Sequence, residues 1–327
     1  LFAFICGKIM IMEILDIIAN TNDYNLLKRE VKAGTLAKAT MLISKDCLYA
    51  NSVAKLLAVL VLNDGKDEKN ENYQRVMLSS HPDVKTYPQK DRLLVADSEE
   101  IVLESYALPV QADKKIFIIK DFDSSTESAQ NKLLKILEEP PKNVYMILTC
   151  SNVNQVLPTI RSRCNKYELA KLDEDTLRSY LLGSANSELI SVLSYGYLGR
   201  AEELLKMKNL QELFTSAISV ITDLTSSKEV LLYSKKLLDY KEHFELIIEI
   251  ISLALEDMLA IKAGRECRLK GFAEKLKNVE GNYSVKAICQ IQELLNKAVK
   301  EQTYNVNLTL IIENLLLNIL EVKFICK

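Results

Sequence analysis

Two apolar runs, 115–119 and 144–149, flank the sequence Asn131-Lys132-Leu133-Leu134-Lys135-Ile136-Leu137-Glu138-Glu139-Pro140-Pro141. Leu133 and Leu137 fall on one apolar face of a helix, and the two prolines end that helix because proline lacks a backbone donor and restricts the residue before it. Short apolar runs joined by a helix are typical of buried parallel strands. The sequence therefore predicts a strand, a helix and a second parallel strand.

The residues before this unit extend the same pattern. Ser124 and Glu127 have the S-x-x-E spacing of a capping box, which predicts that the helix begins near them. A further apolar run at 40–43 is predicted to be another buried strand. We therefore predict an α/β domain with a parallel sheet over residues 1–168.

Proline positions separate this domain from the rest of the chain. All six prolines lie within residues 82–158, so the residues that follow can form long helices without interruption. Amphipathic stretches at 244–260 and 308–320 favour a helical bundle. We predict a small helical domain at 169–208 and an all-α domain at 209–327.

Composition places the chain among ordinary soluble proteins with more than one domain. Its 327 residues exceed what one compact core usually holds, and 48% of them are hydrophobic while 26% are charged. A net charge of −2 gives no sign of a chain that coats nucleic acid by itself, so any DNA contact is expected to be shared with partners. Seven cysteines without CxxC pairing suit reduced thiols in the cytosol.

The first residues raise the question of export or membrane insertion. The apolar stretch 1–18 is interrupted by Lys8, Glu13 and Asp16, and it has neither a basic start nor a small-residue cleavage site. We predict no targeting signal and no membrane association, and therefore a cytoplasmic protein.

Two motifs carry a resemblance to a known family. The residues 133–141, LLKILEEPP, and the residues 162–164, SRC, resemble motifs of bacterial clamp-loader subunits, which are AAA+ proteins that open the sliding clamp for the replicative polymerase. The residues 199–201 and 255–262 are similar to the lid turn and to a C-terminal stretch of the delta-prime subunits of DNA polymerase III. The resemblance implies an AAA+-like α/β domain, a helical lid and an all-α collar domain.

The same resemblance assigns roles to individual residues. Arg163 matches an arginine finger, which reaches from one subunit to the γ-phosphate bound by the next, and Ser162 and Cys164 complete that motif. Glu138 and Glu139 match an interface element at the end of the helix. For an isolated Arg-Ser-Arg sequence, surface charges beside a strand would be the simpler interpretation.

The implied function is that of a clamp-loader subunit in the DNA polymerase III holoenzyme that has no ATPase activity alone. Its partners would be the gamma/tau ATPase and delta subunits, and through the complex the sliding clamp and primer-template DNA. Two alternatives stay open. One is a genuine AAA+ ATPase with an unusual pocket, and the other is a regulatory interaction protein that retains the fold.

The phosphate-binding loop of such ATPases needs glycines, a lysine and a hydroxyl in a fixed order, and this chain lacks that combination. There is no glycine from residue 35 to 64 and no GxxxxGK[ST] sequence. If the helix after the first strand is 52–58, Ala50 stands at the lysine position, and Ser44, Cys47 and Tyr49 stand at glycine positions. A degenerate Walker A site that binds no nucleotide cofactor is predicted.

Metal sites are not expected either. Lys120 occupies the place of the Walker B aspartate, so a cation stands where a magnesium ligand would be. Relatives carry a four-cysteine zinc site just upstream of the segment that matches His81-Pro82-Asp83-Val84, but residues 48–149 contain no cysteine. We therefore predict neither magnesium nor zinc.

Overall fold

A computed structural model describes residues 14–66, 68–304 and 306–325. These residues form two compact units. The first holds the described residues up to Leu182 together with Ser194–Glu202, and the second holds Gly183–Leu193 and the described residues from Glu203 onward. The division into three domains at 168 and 208 stays a prediction.

The first unit begins with an α/β region. Its elements, in chain order, are α1 (Asn22–Ala33), β1 (Ala39–Ile43), α2 (Cys47–Leu62), α3 (Glu71–Met77), β2 (Val84–Tyr87), α4 (Val95–Ser105), β3 (Lys115–Ile119), α5 (Glu127–Glu138), β4 (Val144–Cys150), α6 (Pro158–Arg161), β5 (Asn165–Glu168) and α7 (Glu174–Leu181). Only helices follow in the described residues: α8 (Ser187–Ser194), α9 (Leu198–Lys206), α10 (Leu210–Thr222), α11 (Ser227–Leu238), α12 (Phe244–Lys262), α13 (Ala273–Glu280), α14 (Val285–Thr303) and α15 (Leu308–Ile325).

The five strands form one parallel sheet in the order β2-β3-β4-β1-β5. The three predicted strands are confirmed as β1, β3 and β4, which occupy the centre of the sheet. The two edge strands were not predicted. The residues of β5 are mostly exposed and polar, so they lack the apolar run that marks a buried strand.

The predicted helix before the two prolines is confirmed as α5, but its predicted cap is wrong. Ser124 ends a short 3₁₀ turn, and the helix begins at Glu127. Thr126 is the N-cap, and its side chain accepts a hydrogen bond from the Ala129 N–H. A threonine immediately before the first helical turn satisfies a free donor there, which Ser124 is too far upstream to do.

The apolar face of α5 forms part of the sheet's core. Leu133, Ile136 and Leu137 are buried together with Phe117 of β3 and Met146 of β4. Since each buried aliphatic side chain contributes about 1.5 to 3 kcal/mol, this packing fixes the position of both ends of α5 relative to the sheet.

The second unit is helical, as predicted. Its helices α12 and α15 include the two amphipathic stretches that the sequence indicates. The Tyr283 hydroxyl donates to the Ile221 carbonyl at 2.7 Å, which joins two segments that are distant in sequence. Among the described residues, no helix is both long enough and apolar enough to cross a bilayer.

Candidate functional site

The carboxyl end of β1 is where a nucleotide-binding domain of this type would hold phosphates, because the chain leaves β1 toward β2 on one side of the sheet and leaves the neighbouring β4 toward β5 on the other side. Only Ser44, Lys45 and Asp46 separate β1 from α2. The helix expected at 52–58 therefore begins five residues earlier, at Cys47. Asp46 is its N-cap, and its Oδ1 accepts the Tyr49 N–H at 3.1 Å.

The Asp46 carboxylate has a second helix start as a partner. The Gly199 N–H, in the first turn of α9, donates to both carboxylate oxygens at 3.2 and 3.1 Å. A Cβ at residue 199 would lie 3.0 Å from Asp46 Oδ1, so a glycine allows this close approach. Helix N-termini attract anions, and here the anion is supplied by the chain itself.

The residues at the predicted glycine and lysine positions belong to this helix and its cap. Tyr49 and Ala50 are buried, and the Tyr49 hydroxyl bonds to Thr21 and Asp23 at 3.3 Å. The buried Ser44 hydroxyl accepts the Asp46 N–H at 3.1 Å. These residues therefore pack the start of α2 rather than leaving an open loop.

Cys47 is the exposed member of the set, and its thiol reports the charge of its surroundings. Although part of the residue is exposed, partial desolvation of the thiol raises its pKa to about 11, and the carboxylates of Asp121, Asp123 and Asp46 add to the increase. A helix N-terminus alone would lower a thiol pKa, so burial and the carboxylates outweigh the helix here. The electrostatic field around Cys47 therefore disfavours a further negative charge there.

Polar groups beside Lys120 also bond to one another. The Asp121 N–H donates to Thr149 Oγ1 at 3.0 Å, and the Thr149 hydroxyl donates to Asn51 Oδ1 at 2.7 Å. This chain of neutral groups joins the ends of β3 and β4 to α2. Nowhere in residues 14–66, 68–304 and 306–325 do three or more His, Cys, Asp or Glu side chains gather in a way that could hold a metal ion.

The structure brings the two sequence motifs into contact at Arg163. Its Nη1 donates to the Thr159 carbonyl at 2.7 Å, and its Nη2 lies 3.1 Å from Glu138 Oε2 at the end of α5. The arginine side chain is 30% exposed, so it is accessible as well as held. Glu139, the other predicted interface residue, follows Glu138 as the C-cap of α5 and is exposed.

Buried residues anchor the segment that carries Arg163. Ile160 and Cys164 both belong to the core of the sheet. Burial raises the pKa of the Cys164 thiol to about 12, so its contribution is packing rather than nucleophilic chemistry. The Ser162 hydroxyl donates to the same Thr159 carbonyl at 3.0 Å, which tightens the turn before Arg163.

Gln130 holds this segment to α5, and the sequence analysis missed it. Its Nε2 donates to the Gln155 carbonyl at 3.2 Å, and its Oε1 accepts the Leu157 N–H at 2.9 Å. The side chain is only 2% exposed. An amide on the apolar side of an amphipathic helix was the available signal, because a buried amide needs partners.

Arg163 and Asp46 lie at opposite ends of the parallel strands, which we call the amino edge and the carboxyl edge of the sheet. Asp46 follows the carboxyl end of β1, whereas Arg163 precedes the amino end of β5 by two residues, and the two strands are parallel neighbours. A strand of this length separates the two edges by roughly 15 Å. Arg163 is therefore separated by the length of the strand from the edge at which its own chain would bind a nucleotide.

Comparison with known proteins places this arrangement in a family. The family profile described as "DNA polymerase III, delta subunit" matches residues 19–173. The delta' subunit of Bacillus subtilis (strain 168) is 26% identical over 262 residues, which cover 75% of this chain and 78% of that subunit. The chain belongs to the DNA polymerase III clamp-loader family.

Two further relatives define the extent of the similarity. The delta' subunit of Haemophilus influenzae (strain ATCC 51907 / DSM 11121 / KW20 / Rd) is 29% identical over 209 residues, 62% of each chain. The gamma/tau subunit of Mycobacterium tuberculosis (strain ATCC 25618 / H37Rv) is 35% identical over 98 residues, 30% of this chain. The matched part covers only 17% of that gamma/tau subunit, so the chain spans less than a fifth of its length.

Proposed function

We propose that this clamp-loader family member is a subunit that hydrolyses no ATP itself and supplies Arg163 in trans to a neighbouring ATPase subunit. In this role it helps to load the sliding clamp onto primed DNA. The observation that carries the proposal is the placement of an accessible guanidinium at the edge of the sheet opposite Asp46. An arginine so placed can reach a phosphate held by another molecule, but not one at its own β1 edge.

The carboxyl edge of β1 supports the absence of nucleotide hydrolysis. The donors that would meet a phosphate there are bonded to Asp46, and Asp121 and Asp123 add negative charge around Cys47. Like charges repel by about 4 kcal/mol at 4 Å in the effective dielectric of a protein surface. A nucleotide would have to displace Asp46 and bring its own phosphates into this field.

The last helix of the second unit supports assembly with other subunits. Leu310, Leu317 and Phe324 are 61%, 47% and 56% exposed and recur every seventh residue on α15. Residues with this spacing lie along one face of a helix, and such an apolar row favours another helix as its partner. We propose that the gamma/tau and delta subunits cover this row in a collar.

The decisive experiment compares reconstituted clamp loaders that contain the wild-type chain, Arg163→Ala, Arg163→Lys or Arg161→Ala. Stimulated ATP hydrolysis and clamp loading are measured for each complex. At the site that Arg163 serves, its loss is expected to reduce the rate by about 10³ to 10⁵, which dilutes to a partial loss if other sites keep their own arginines. Lysine should not restore activity because it lacks the planar pair of donors.

Arg161→Ala is the matched control, since it removes the same side chain two residues away and is expected to retain wild-type rates. Wild-type rates for both Arg163 variants would remove the finger hypothesis, and a defect confined to Arg161→Ala would show that the other arginine acts. A chain that fails to bind the ATPase subunits would instead indicate a regulatory protein outside the clamp loader.

A further inference from the structure

We infer that Glu138 is a positioning residue that orients the Arg163 guanidinium toward the neighbouring subunit's nucleotide. This inference rests on the proposed function, because it concerns how the proposed finger is held. Its starting point is the 3.1 Å contact between Glu138 Oε2 and Arg163 Nη2, which joins the end of α5 to the segment after α6.

The position of Glu138 is unfavourable without Arg163. Glu138 is the last residue of α5, and Glu139 follows it as the C-cap. The carboxyl end of a helix carries partial negative charge, so two successive acids there are disfavoured unless a cation compensates. Arg163 is the cation in contact with Glu138. The ion pair therefore compensates for the unfavourable position of this acid at the helix end.

Glu138 and Thr159 hold the guanidinium at two separate points. Nη1 donates a hydrogen bond to the backbone of the segment around α6, and Nη2 forms an ion pair with a side chain of α5. Two contacts on one planar group fix its rotation, whereas the Thr159 contact alone would allow the plane to turn about it. Gln130 fixes the two segments relative to each other, so the geometry is maintained from the core outward.

The remaining donors are available for a phosphate. Of the five N–H donors of the guanidinium, one is hydrogen-bonded to the Thr159 carbonyl, and Nη2 lies in the ion pair with Glu138. The Nε of Arg163 is buried and has no hydrogen-bond partner within the described residues, so the donors that a phosphate can meet are those on the two Nη atoms. Because Glu138 is itself 56% exposed, its contact is weak enough to be exchanged for a phosphate that carries more charge. Glu138 therefore orients the finger before the nucleotide arrives without withholding it.

The test uses the full chain in the reconstituted clamp loader and compares Glu138→Gln with Glu99→Gln. Glu99 of α4 is the matched control, because it is 54% exposed and forms an ion pair at 2.7 Å with Lys132 of α5, the helix that carries Glu138. For Glu138→Gln, kcat of the stimulated ATPase is expected to fall about two- to fivefold, in line with losing one exposed charge contact, while KM for ATP changes less than twofold. Glu99→Gln should match wild type in both.

Two more variants separate positioning from other roles. Glu138→Asp keeps the charge but shortens the side chain by one methylene, so it should lose rate about as Glu138→Gln does. The double variant Glu138→Gln/Arg163→Ala should be no slower than Arg163→Ala alone, because Glu138 acts only through the arginine.

The outcomes distinguish this inference from the proposed function. A wild-type rate for Arg163→Ala defeats the proposed function and the inference with it. A slow Arg163→Ala beside a wild-type or faster Glu138→Gln overturns the inference alone. Wild-type activity of Glu138→Asp, or an additional loss in the double variant, would show that Glu138 acts through its charge on another group.

Discussion

The two edges of the sheet handle their polar groups in opposite ways. At the carboxyl edge, Asp46 accepts hydrogen bonds from the starts of α2 and α9, and Thr149 and Asn51 bond to each other. At the amino edge, Arg163 is held by two contacts yet keeps donors unused. The first edge satisfies its groups within the chain, and the second presents a charged group outward. One fold can thus satisfy its polar groups internally at one edge and leave a charged group accessible at the other.

The difference arises from where each polar residue meets a helix end. Asp46 stands at an N-terminus, which stabilises its charge, so the helix and the carboxylate satisfy each other. Glu138 stands at a C-terminus, which does not, and it contacts Arg163 instead. Substitutions confined to one edge therefore test this difference directly.

Gln130→Ala should lower the free energy of unfolding of the first unit by about 1 to 3 kcal/mol, because it leaves the partly buried Gln155 carbonyl and Leu157 N–H without their partner. Urea unfolding and hydrogen exchange at the Leu157 amide measure the effect. Lys132→Ala, on the same helix but exposed, should cost less than about 1 kcal/mol. Equal effects of the two changes would mean that Gln130 does not hold the amino edge.

Asp46→Ala should lower the stability by about 1 to 2 kcal/mol, the usual cost of losing an N-cap. Hydrogen exchange should accelerate at the Tyr49 and Gly199 amides, which donate to Asp46. Asp46→Asn keeps an acceptor oxygen and is the matched control, with a loss of only a few tenths of a kcal/mol expected. If asparagine destabilises as much as alanine, the charge rather than the hydrogen bond maintains the carboxyl edge.

Alkylation of Cys47 should be slow at pH 8, on the order of tenfold slower than that of an ordinary exposed thiol, because its raised pKa of about 11 leaves little thiolate. The rate should rise with pH up to that value. Asp121→Asn removes a carboxylate that raises the pKa, so it should accelerate the reaction. Mass spectrometry of iodoacetamide adducts measures this, with the exposed Cys289 as internal reference. An unchanged rate in Asp121→Asn would argue against an electrostatic cause.

Mg-ATP should leave the melting temperature of the isolated chain unchanged. A ligand at a hundred times its Kd stabilises a protein by about 2.7 kcal/mol, which would shift the melting temperature by several degrees. Differential scanning fluorimetry with sulfate as an anion control measures the shift. A reproducible stabilisation by Mg-ATP alone would show that nucleotide displaces Asp46, and it would favour an ATPase with an unusual pocket.

Much of the architecture could be predicted from the sequence. The central strands were found because their apolar runs are continuous, and α5 was found because its apolar face ends at two prolines. The two edge strands were not predicted, because β2 has only four residues and β5 is mostly exposed. Edge strands are stabilised by pairing with a neighbour, and pairing leaves little trace in local composition.

The start of α2 was placed too late for a different reason. Matching 44–51 to a phosphate-binding loop implied a helix at 52–58, whereas Asp46 before an apolar sequence is itself a helix-start signal. The family motif outweighed the local signal, and the local signal was correct.

The contacts of the site depend on tertiary structure. Arg163 and Glu138 were each singled out, but their contact across 25 residues requires the core packing of α5 and Ile160, which no local pattern specifies. The hydrogen bond from Gly199 to Asp46 was not predicted, because the two residues are 153 positions apart in the sequence. The predicted roles of Ser162, Cys164 and Glu139 stay predictions.

The packing of Tyr49 and Ala50 also bears on evolution. Both side chains are buried, so a glycine at residue 49 would open a cavity costing about 3 to 5 kcal/mol, and a lysine at residue 50 would bury a charge. Neither substitution would create a nucleotide site until Ser44 and Lys120 had changed as well. Each intermediate would be less stable than its ancestor without a compensating activity. Single substitutions would therefore convert the start of α2 into a phosphate-binding loop only through less stable intermediates.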